Sequence, residues 1–517
     1  MQQPFHDEPL VAGEHDHRPD RSNLTGLTGA GPARGASHSG TVASLARIRA
    51  LIGGEWRDGE DFEVLRYPYD GREVAHLVQT PLAAVSEAVE AAQRAFRSWR
   101  NVPAFERAWV LAEIGRGMAR REAEFAETMC WQTGKTVRDG RAEVARSVST
   151  MEVAAEEAKR IEGAVIPMDQ VPAGRGKLGF AVYEPVGVVA GISPYNAPLN
   201  LVAHKLGPAL AAGNTLVLKP HPQGSGVAAL LGEIALEAGV PPGVFNIVHG
   251  GPEVGRALVG HPSVALVSFT GSGAVAGQIL RDAGLKRTVF ELGGNAPVIV
   301  HADARWETAV EMLAGAAFGM SGQSCVSTQR IYVHSSLVER FTAAIVARVE
   351  KLATGDPFDP ATEVGPMNSA AAAERVKAWI DEAVAAGAQL LCGGRRDGAL
   401  VWPTVLTNVA PTMRVVCDEV FGPVVTLIPY SEIEEAIAAA NATPWGLKAG
   451  VFTESLPLAL RVARELEYGT VNINAPSRSR ADHEPSGGTK ASGWGREGPY
   501  YAIREMSNLK MITVNQA

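Results

Sequence analysis

Four cysteines, Cys130, Cys325, Cys392 and Cys417, stand apart from one another in the chain. That isolation argues against a disulfide framework and against paired zinc ligands, so no metal site is expected. A lone cysteine in an apolar stretch reads as a small buried hydrophobe, the reading given to Cys130, Cys392 and Cys417. Cys325 differs, because Ser321, Gly322, Gln323 and Ser324 precede it in a polar run suited to an exposed turn. A thiol there could act as a nucleophile. With an ordinary pKa of about 8.5, however, only a few per cent is thiolate at neutral pH, and local activation is needed.

Other residues carry chemistry less specifically. The segment GSGAVAG, from Gly271 to Gly277, follows the apolar run VALVSF, and its last spacing is one residue longer than GxGxxG. It reads either as a dinucleotide loop or as a tight turn from strand to helix. Asn196, between Pro194 and Pro198, reads as a turn residue. Glu291 ends an apolar run, where a strand-end charge could pair with Lys286.

The elements that position these residues follow from periodicity. Val85, Val89, Ala92, Phe96 and Trp99 recur at three- and four-residue steps and predict an amphipathic helix over 83–99. Between 186 and 300 the apolar runs VGVVAGI, TLVLK, VFNIV, VALVSF and PVIV alternate with helical stretches such as 224–238. Strands apolar on both faces, separated by helices, predict parallel βαβ units in a doubly wound sheet. Ligands of such sheets bind beyond the carboxyl ends of the strands, where the glycine-rich turns fall.

The whole chain sets bounds. Its 517 residues call for two or three domains. Hydrophobic residues at 46% and charged residues at 20% are ordinary for a globular protein. The net charge of −8 offers no basic footprint for nucleic acid. No apolar run approaches the roughly 18 to 20 residues of a membrane span, and no leader pattern opens the chain. A reducing cytoplasm is expected. Residues 1–45, with His6, His15, His17 and His38 but no apolar periodicity, are expected to form a disordered arm.

Taken together, seven segments resemble the aldehyde dehydrogenase superfamily over nearly everything from about residue 50 onward. They are EPVGVVAGISPYNAP from Glu184, KLGPALAAGNTLVLKP from Lys205, FTGS from Phe269, FELGGNAP from Phe290, SGQSC ending at Cys325, EVFGPV from Glu419 and SGWGREG from Ser492. The resemblance implies an α/β, aldehyde dehydrogenase-like fold: two doubly wound Rossmann-like domains plus a small β oligomerisation ribbon. The expected division is 46–162 with 183–292 for the NAD(P)-binding domain, 293–500 for the catalytic domain, and 163–182 with 501–517 for the ribbon. A homodimer or homotetramer is implied, as is a small-molecule aldehyde as substrate, with no nucleic acid and no membrane.

By the same resemblance Cys325 is the nucleophile that forms a thioester, and Asn196 with the Cys325 N–H holds the oxyanion. Glu291 is the base that activates water, and Lys205 supports the site. Ser193, Lys219, Gly251, Gly255, Gly271, Ser272, Leu292, Glu419 and Phe421 match cofactor-binding positions. NAD is the first choice, and NADP stays open because Pro222 stands where many NAD-specific members have a glutamate. Members that pass the acyl group to coenzyme A generally lack the glutamate seen here as Glu291, so water is the expected acceptor. The alternatives are a CoA-acylating enzyme and a catalytically silent binding protein. Around the substrate the chain departs from the common pattern, with Tyr195 for Trp, Ala197 for Phe, His204 for an aromatic and Ser486 for Phe. Ala197, His204, Ser324 and Arg480 are therefore the candidate substrate contacts. Arg480 is read either as an anion receptor or as a solvated loop charge.

Overall fold

The computed structural model describes residues 46–516; the arm expected over 1–45 lies outside the described residues. An eight-stranded sheet runs in the order Gly493–Trp494, Arg287–Glu291, Val264–Thr270, Val188–Ser193, Thr215–Pro220, Phe245–Ile247, Ala50–Ile52, Glu55–Arg57. Its five central strands are parallel and both edges are antiparallel. Numbered along the chain, the five stand in the order 5-4-1-2-3. The order reverses between Val188–Ser193 and Val264–Thr270, which is where such sheets open a crevice for a ligand.

Period-two alternation explains why these strands are apolar throughout. Val189, Leu216, Leu218, Leu266 and Val289 pack on one face with Leu111, Ile114, Val144, Met151, Val202 and Leu206. Val188, Ala190, Val217, Val267 and Phe290 point the other way, onto Val85, Val89, Val254, Leu258 and Ile279. Each fully buried Val, Leu or Phe contributes about 1.5 to 3 kcal/mol relative to an exposed one. The helix expected over 83–99 is Leu82–Trp99, and that expected over 224–238 is Ser225–Glu237.

PVIV belongs elsewhere. Ala296–Val300 lies in a seven-stranded sheet ordered Gln389–Cys392, Thr404–Thr407, Val424–Tyr430, Thr328–His334, Ala296–Val300, Lys448–Phe452, Thr470–Ile473. Its alternate residues again serve two cores: Val298, Val300, Ile331 and Val333 on one side, Ile299, Tyr332 and Val451 on the other. Four residues, Leu292 to Asn295, carry the chain from the carboxyl end of one sheet to the amino end of the next. Those two edges consequently face each other.

A third sheet is an antiparallel ribbon of Ser507–Asn515, Lys177–Pro185 and Ala164–Ile166. It leaves apolar side chains in solvent, with Val165 76% and Leu509 62% exposed. Among the described residues no helix is long and apolar enough to cross a membrane.

Candidate active site

Glu291 and Cys325 are 34 residues apart (325 − 291), and one βαβ unit closes that gap. Strand Ala296–Val300 leads through helix Trp306–Phe318 to strand Thr328–His334, and the two strands pair in parallel with Ala296 opposite Thr328. Cys325 and Glu291, in the segments leading into these paired strands, are thereby drawn to one edge. The approach is close: a Cβ on Gly294 would lie 2.3 Å from the Cys325 carbonyl oxygen, so only glycine fits. From the other sheet, the pairings Thr270 with Glu291 and Ile192 with Lys219 align the carboxyl ends that supply Thr270, Glu291, Ser193 and Lys219.

A cavity of about 240 Å³ collects Thr270, Glu291 and Cys325. Asn196, Tyr195, Leu201, Thr270, Gly271, Ser272, Glu291, Leu292, Cys325, Glu419 and Phe421 are among its walls. Glu291 is 6% exposed, its Oε1 has no hydrogen-bond partner among the described residues, and Lys286 is not its partner; that lysine donates to the Ala283 carbonyl instead. Burial raises the Glu291 pKa well above the usual carboxylate range, and the negative charge of Glu497 adds to the effect. Burial pushes the Cys325 thiol up to about 12, with Glu291, Glu419 and Glu497 reinforcing it. Burial raises Glu419 to about 7 against the pull of the Gly294 N–H, which it accepts at 2.9 Å.

Asn196 is buried, but its side-chain amide donates to no group among the described residues, and neither does the Cys325 N–H. Two free donors beside a thiol are what an oxyanion needs. The surrounding backbone is tightly specified. Met320, Ser321 and Phe421 hold positive φ of 57°, 56° and 48°, a region that side chains seldom occupy. Ser321 Oγ donates to the Gly365 carbonyl at 2.7 Å, and Asp139 accepts from the Met320 N–H at 3.1 Å.

A larger cavity of about 700 Å³ shares Pro194, Tyr195, Thr270, Gly271 and Ser272 with the first and lies at the switch point of the eight-stranded sheet. Ser193, Lys219, Gly251 and Gly255 are in its walls. Ser272 caps helix Gly273–Ala283 by accepting from the Val275 N–H at 3.5 Å, so the GSGAVAG segment is a tight strand-to-helix turn that also lines the cleft. Lys219 is 9% exposed and has no partner among the described residues, and burial lowers it to about 8. An unpaired buried cation, a helix N-terminus and a cleft of this volume fit a dinucleotide, whose phosphates Gly271 and Ser272 could receive.

The structure does not bring every candidate to the thiol. Lys205 lies behind the wall, donating Nζ to Thr270 Oγ1 at 2.7 Å, and burial lowers its pKa. Ala197 and His204 do not line either cavity; His204 is fully buried 3.3 Å from Asp482. Ser324 faces a separate small space with Gln329 and Glu419. Arg480 is no solvated charge, being 12% exposed and paired with Glu497 at 3.1 Å. Cys130 is buried as expected, whereas Cys392 and Cys417 are only half-buried, at a sheet edge and a short helix end.

Sequence reasoning missed the ionic supports beneath the site. Glu143 forms a buried pair with Lys135, while its other oxygen accepts from the Leu199 and Asn200 N–H groups at 2.8 and 3.1 Å. This caps helix Asn200–Ala212 and fixes the loop that carries Asn196. Lys448 is buried, donating to the Ser479 carbonyl at 3.3 Å, and lies 3.7 Å from Glu484. Glu143 falls on the buried face of helix Val137–Ala158, and a charge at an otherwise apolar helical position is the one signal that could have found it.

A cysteine and a carboxylate in one cavity, sharing wall residues with a dinucleotide-sized cleft, are groups that a thiol-dependent oxidoreductase would need. Residues 56–512 match the aldehyde dehydrogenase family, and the chain belongs to it. It is 42% identical over 479 residues to the 3-sulfolactaldehyde dehydrogenase of Priestia aryabhattai, covering 92% of this chain and 100% of that one. It is 37% identical to the NADP(+)-linked succinate-semialdehyde dehydrogenase of Escherichia coli, with 91% and 98% covered. A crystal structure of aldehyde dehydrogenase 21 from Physcomitrella patens, in complex with the reaction product succinate, superposes with a TM-score of 0.89 at 36% identity, covering 92% and 99%. The chain is accordingly an NAD(P)-dependent aldehyde dehydrogenase.

Proposed function

We propose that the chain converts an aldehyde bearing an anionic group to the carboxylate through a thioester on Cys325, hydrolysed by water that Glu291 activates. One observation carries this reading: Glu291, buried and without a hydrogen-bond partner among the described residues, shares a cavity with Cys325. Cys325 Sγ bonds to the aldehyde carbon, the carbonyl π pair moves to oxygen, and the thiol proton is lost to water. Asn196 and the Cys325 N–H hold that oxygen, worth about 3 to 4 kcal/mol for one donor of such a pair. Bound NAD(P)+ supplies the two-electron acceptor. Glu291 then takes a proton from water as the water oxygen bonds to the thioester carbon, and the Cys325 thiolate leaves. Lys205 steadies Thr270 beside Glu291.

NAD(P)+ is held by Ser193, Lys219, Gly251, Gly255, Gly271 and Ser272, and its nicotinamide end by Leu292, Glu419 and Phe421. Both NAD and NADP are compatible with an unpaired Lys219. The anionic substrate class is supported by the relatives named for 3-sulfolactaldehyde and succinate semialdehyde. The proposed domain division is 46–162 with 183–292, 293–500, and a ribbon of 163–182 with 501–517; ribbon strand Lys177–Pro185 runs past residue 182, and strand Gly493–Trp494 joins the first sheet. The exposed apolar ribbon favours a homodimer or homotetramer, and four unpaired cysteines favour the cytoplasm.

The test offers carboxylated, sulfonated and neutral aldehydes with NAD+ or NADP+ and no coenzyme A, following reduced cofactor and free acid. Mass spectrometry of quenched enzyme should find the acyl adduct on Cys325. Strict dependence on coenzyme A, or an adduct elsewhere, would overturn the mechanism; equal kcat/KM for neutral and anionic aldehydes would overturn the substrate class.

A further inference from the structure

The loop 474–489 sends one guanidinium inward. Arg480 donates Nη1 and Nη2 to Glu497 Oε2, each at 3.1 Å, and its Nη2 lies 3.0 Å from His204 Nε2. Asp482, from the same loop, accepts both Nε and Nη2 of Arg146 at 3.1 and 2.7 Å and lies 3.3 Å from His204 Nε2 and 3.8 Å from Arg480 Nε. The Glu497 N–H donates to the Ser486 carbonyl at 2.7 Å, which locks the second carboxylate to the loop. Glu497 is 4% exposed, and among the described residues its Oε1 has no hydrogen-bond partner, as is true of Glu291 Oε1.

Glu291 pairs across the sheet edge with Gly493, four residues before Glu497, and the charge of Glu497 raises Glu291 while Arg480, Lys205 and Lys448 lower it. Lys205 is engaged with Thr270, and Lys448 with Ser479 and Glu484. Among the described residues, Arg480 is the one side chain hydrogen-bonded to the Glu497 carboxylate. Two buried carboxylates without an intervening cation would share one proton, and that proton would titrate with the pair.

We propose that Arg480 is a positioning residue: by pairing with Glu497 it isolates that carboxylate electrically and leaves Glu291 as the single proton acceptor for thioester hydrolysis. The proposal rests on the reading of Glu291 as the base. It also removes Arg480 as the receptor for a substrate anion, because its two terminal nitrogens are taken up by Glu497 and His204.

The experiment uses the full chain, saturating cofactor and whichever aldehyde turns over, with rapid mixing to separate the burst of reduced cofactor from the steady phase that follows hydrolysis. For Arg480→Met the burst stays, and the pH profile of the steady phase moves up by about one unit, so that turnover at neutral pH falls about tenfold and recovers in alkali. Arg480→Lys keeps the cation and shifts the profile less. The double variant R480M/E497Q removes the charge and the carboxylate it holds, so the profile returns toward that of the unaltered chain; removing both members of a buried pair also spares the fold. An unmoved profile with a raised KM for anionic aldehydes alone would overturn the proposal in favour of an anion receptor. A double variant shifted as far as R480M would overturn it too, as would equal loss of burst and steady phase at every pH. Absence of any burst from the unaltered chain would refute the thioester reading itself.

Discussion

Replacing Glu291 by glutamine keeps shape and hydrogen-bonding capacity while abolishing the capacity to accept a proton. Two effects of opposite sign follow at Cys325. The thiol is pushed up partly by the charge of Glu291, so attack on the aldehyde should survive or quicken once that charge is gone. Hydrolysis should fail, because the cavity holds one other carboxylate, Glu419, and that group already accepts the Gly294 N–H. General-base assistance is worth about a hundred- to ten-thousandfold, so the steady phase should slow by about 3 to 5 kcal/mol of barrier while the burst amplitude stays near one per active site. Stopped-flow absorbance of reduced cofactor reads both phases in one trace. Stability should move the other way: a carboxyl whose folded pKa is raised stabilises the fold fully below its unfolded pKa and loses that contribution as pH rises through the folded one. The glutamine variant should therefore resist denaturant at pH 8 at least as well as the unaltered chain. Steady turnover within tenfold of normal would refute the assignment of Glu291 as base.

Asn196→Ala should lower the rate of the burst itself by about a hundred- to a thousandfold with the fold intact, measured by the same trace and circular dichroism. Iodoacetamide should alkylate Cys325 slowly near neutrality and ever faster toward alkali, because the thiol sits at about 12, and Glu291→Gln should hasten it at fixed pH; a plateau below pH 8 would contradict this. Lys219→Met should weaken cofactor binding, read by fluorescence titration, by about tenfold or more, the scale of a lost charged hydrogen bond, and more for NADP+ than for NAD+. Val165→Asp should shift the sedimenting species toward the monomer if the ribbon joins subunits; an unchanged mass would exclude that face.

The strands were legible because burial on both faces writes itself into composition: Val188–Ser193 and Thr215–Pro220 contain hardly a residue that could face water. The proximity of Glu291 and Cys325 was legible only through family resemblance, since it depends on a register, Ala296 against Thr328, that no local pattern encodes. The rule of ligands at carboxyl ends covered only half the site: Cys325 precedes its strand, at the amino edge of the second sheet. Side-chain direction was not legible at all. His204 and Lys205 are neighbours on a helix buried along its whole length, so neither polarity nor position says that one meets Asp482 and the other Thr270. Arg480 read as an anion receptor or a solvated charge, and not as a buried ion pair, because its partner, Glu497, lies 17 residues further on and reaches it only once the loop has folded back.

Two glutamates of the same cavity show how partners, more than residue type, divide the chemistry. Glu419 gives one oxygen to the Gly294 N–H, and a Cβ on Gly293 would come within 2.4 Å of its other oxygen, so the carboxyl is fixed against backbone and its elevation stops at about 7. Glu291 has no such anchor, and burial acts on it undiminished except by cations that are themselves committed elsewhere. A carboxylate held by a backbone donor is suited to orienting a ligand; one left unpartnered in a buried pocket is suited to taking a proton. Exchange of those roles by substitution at Glu419 should therefore be asymmetric. Glu419→Gln should slow the burst by misplacing the nicotinamide end of the cofactor, while hydrolysis of an acyl-enzyme preformed from an activated ester, which needs no cofactor, proceeds at its usual rate. If instead that hydrolysis collapsed and Glu291→Gln left it intact, the base would be Glu419 and the assignment argued from their partners would be reversed.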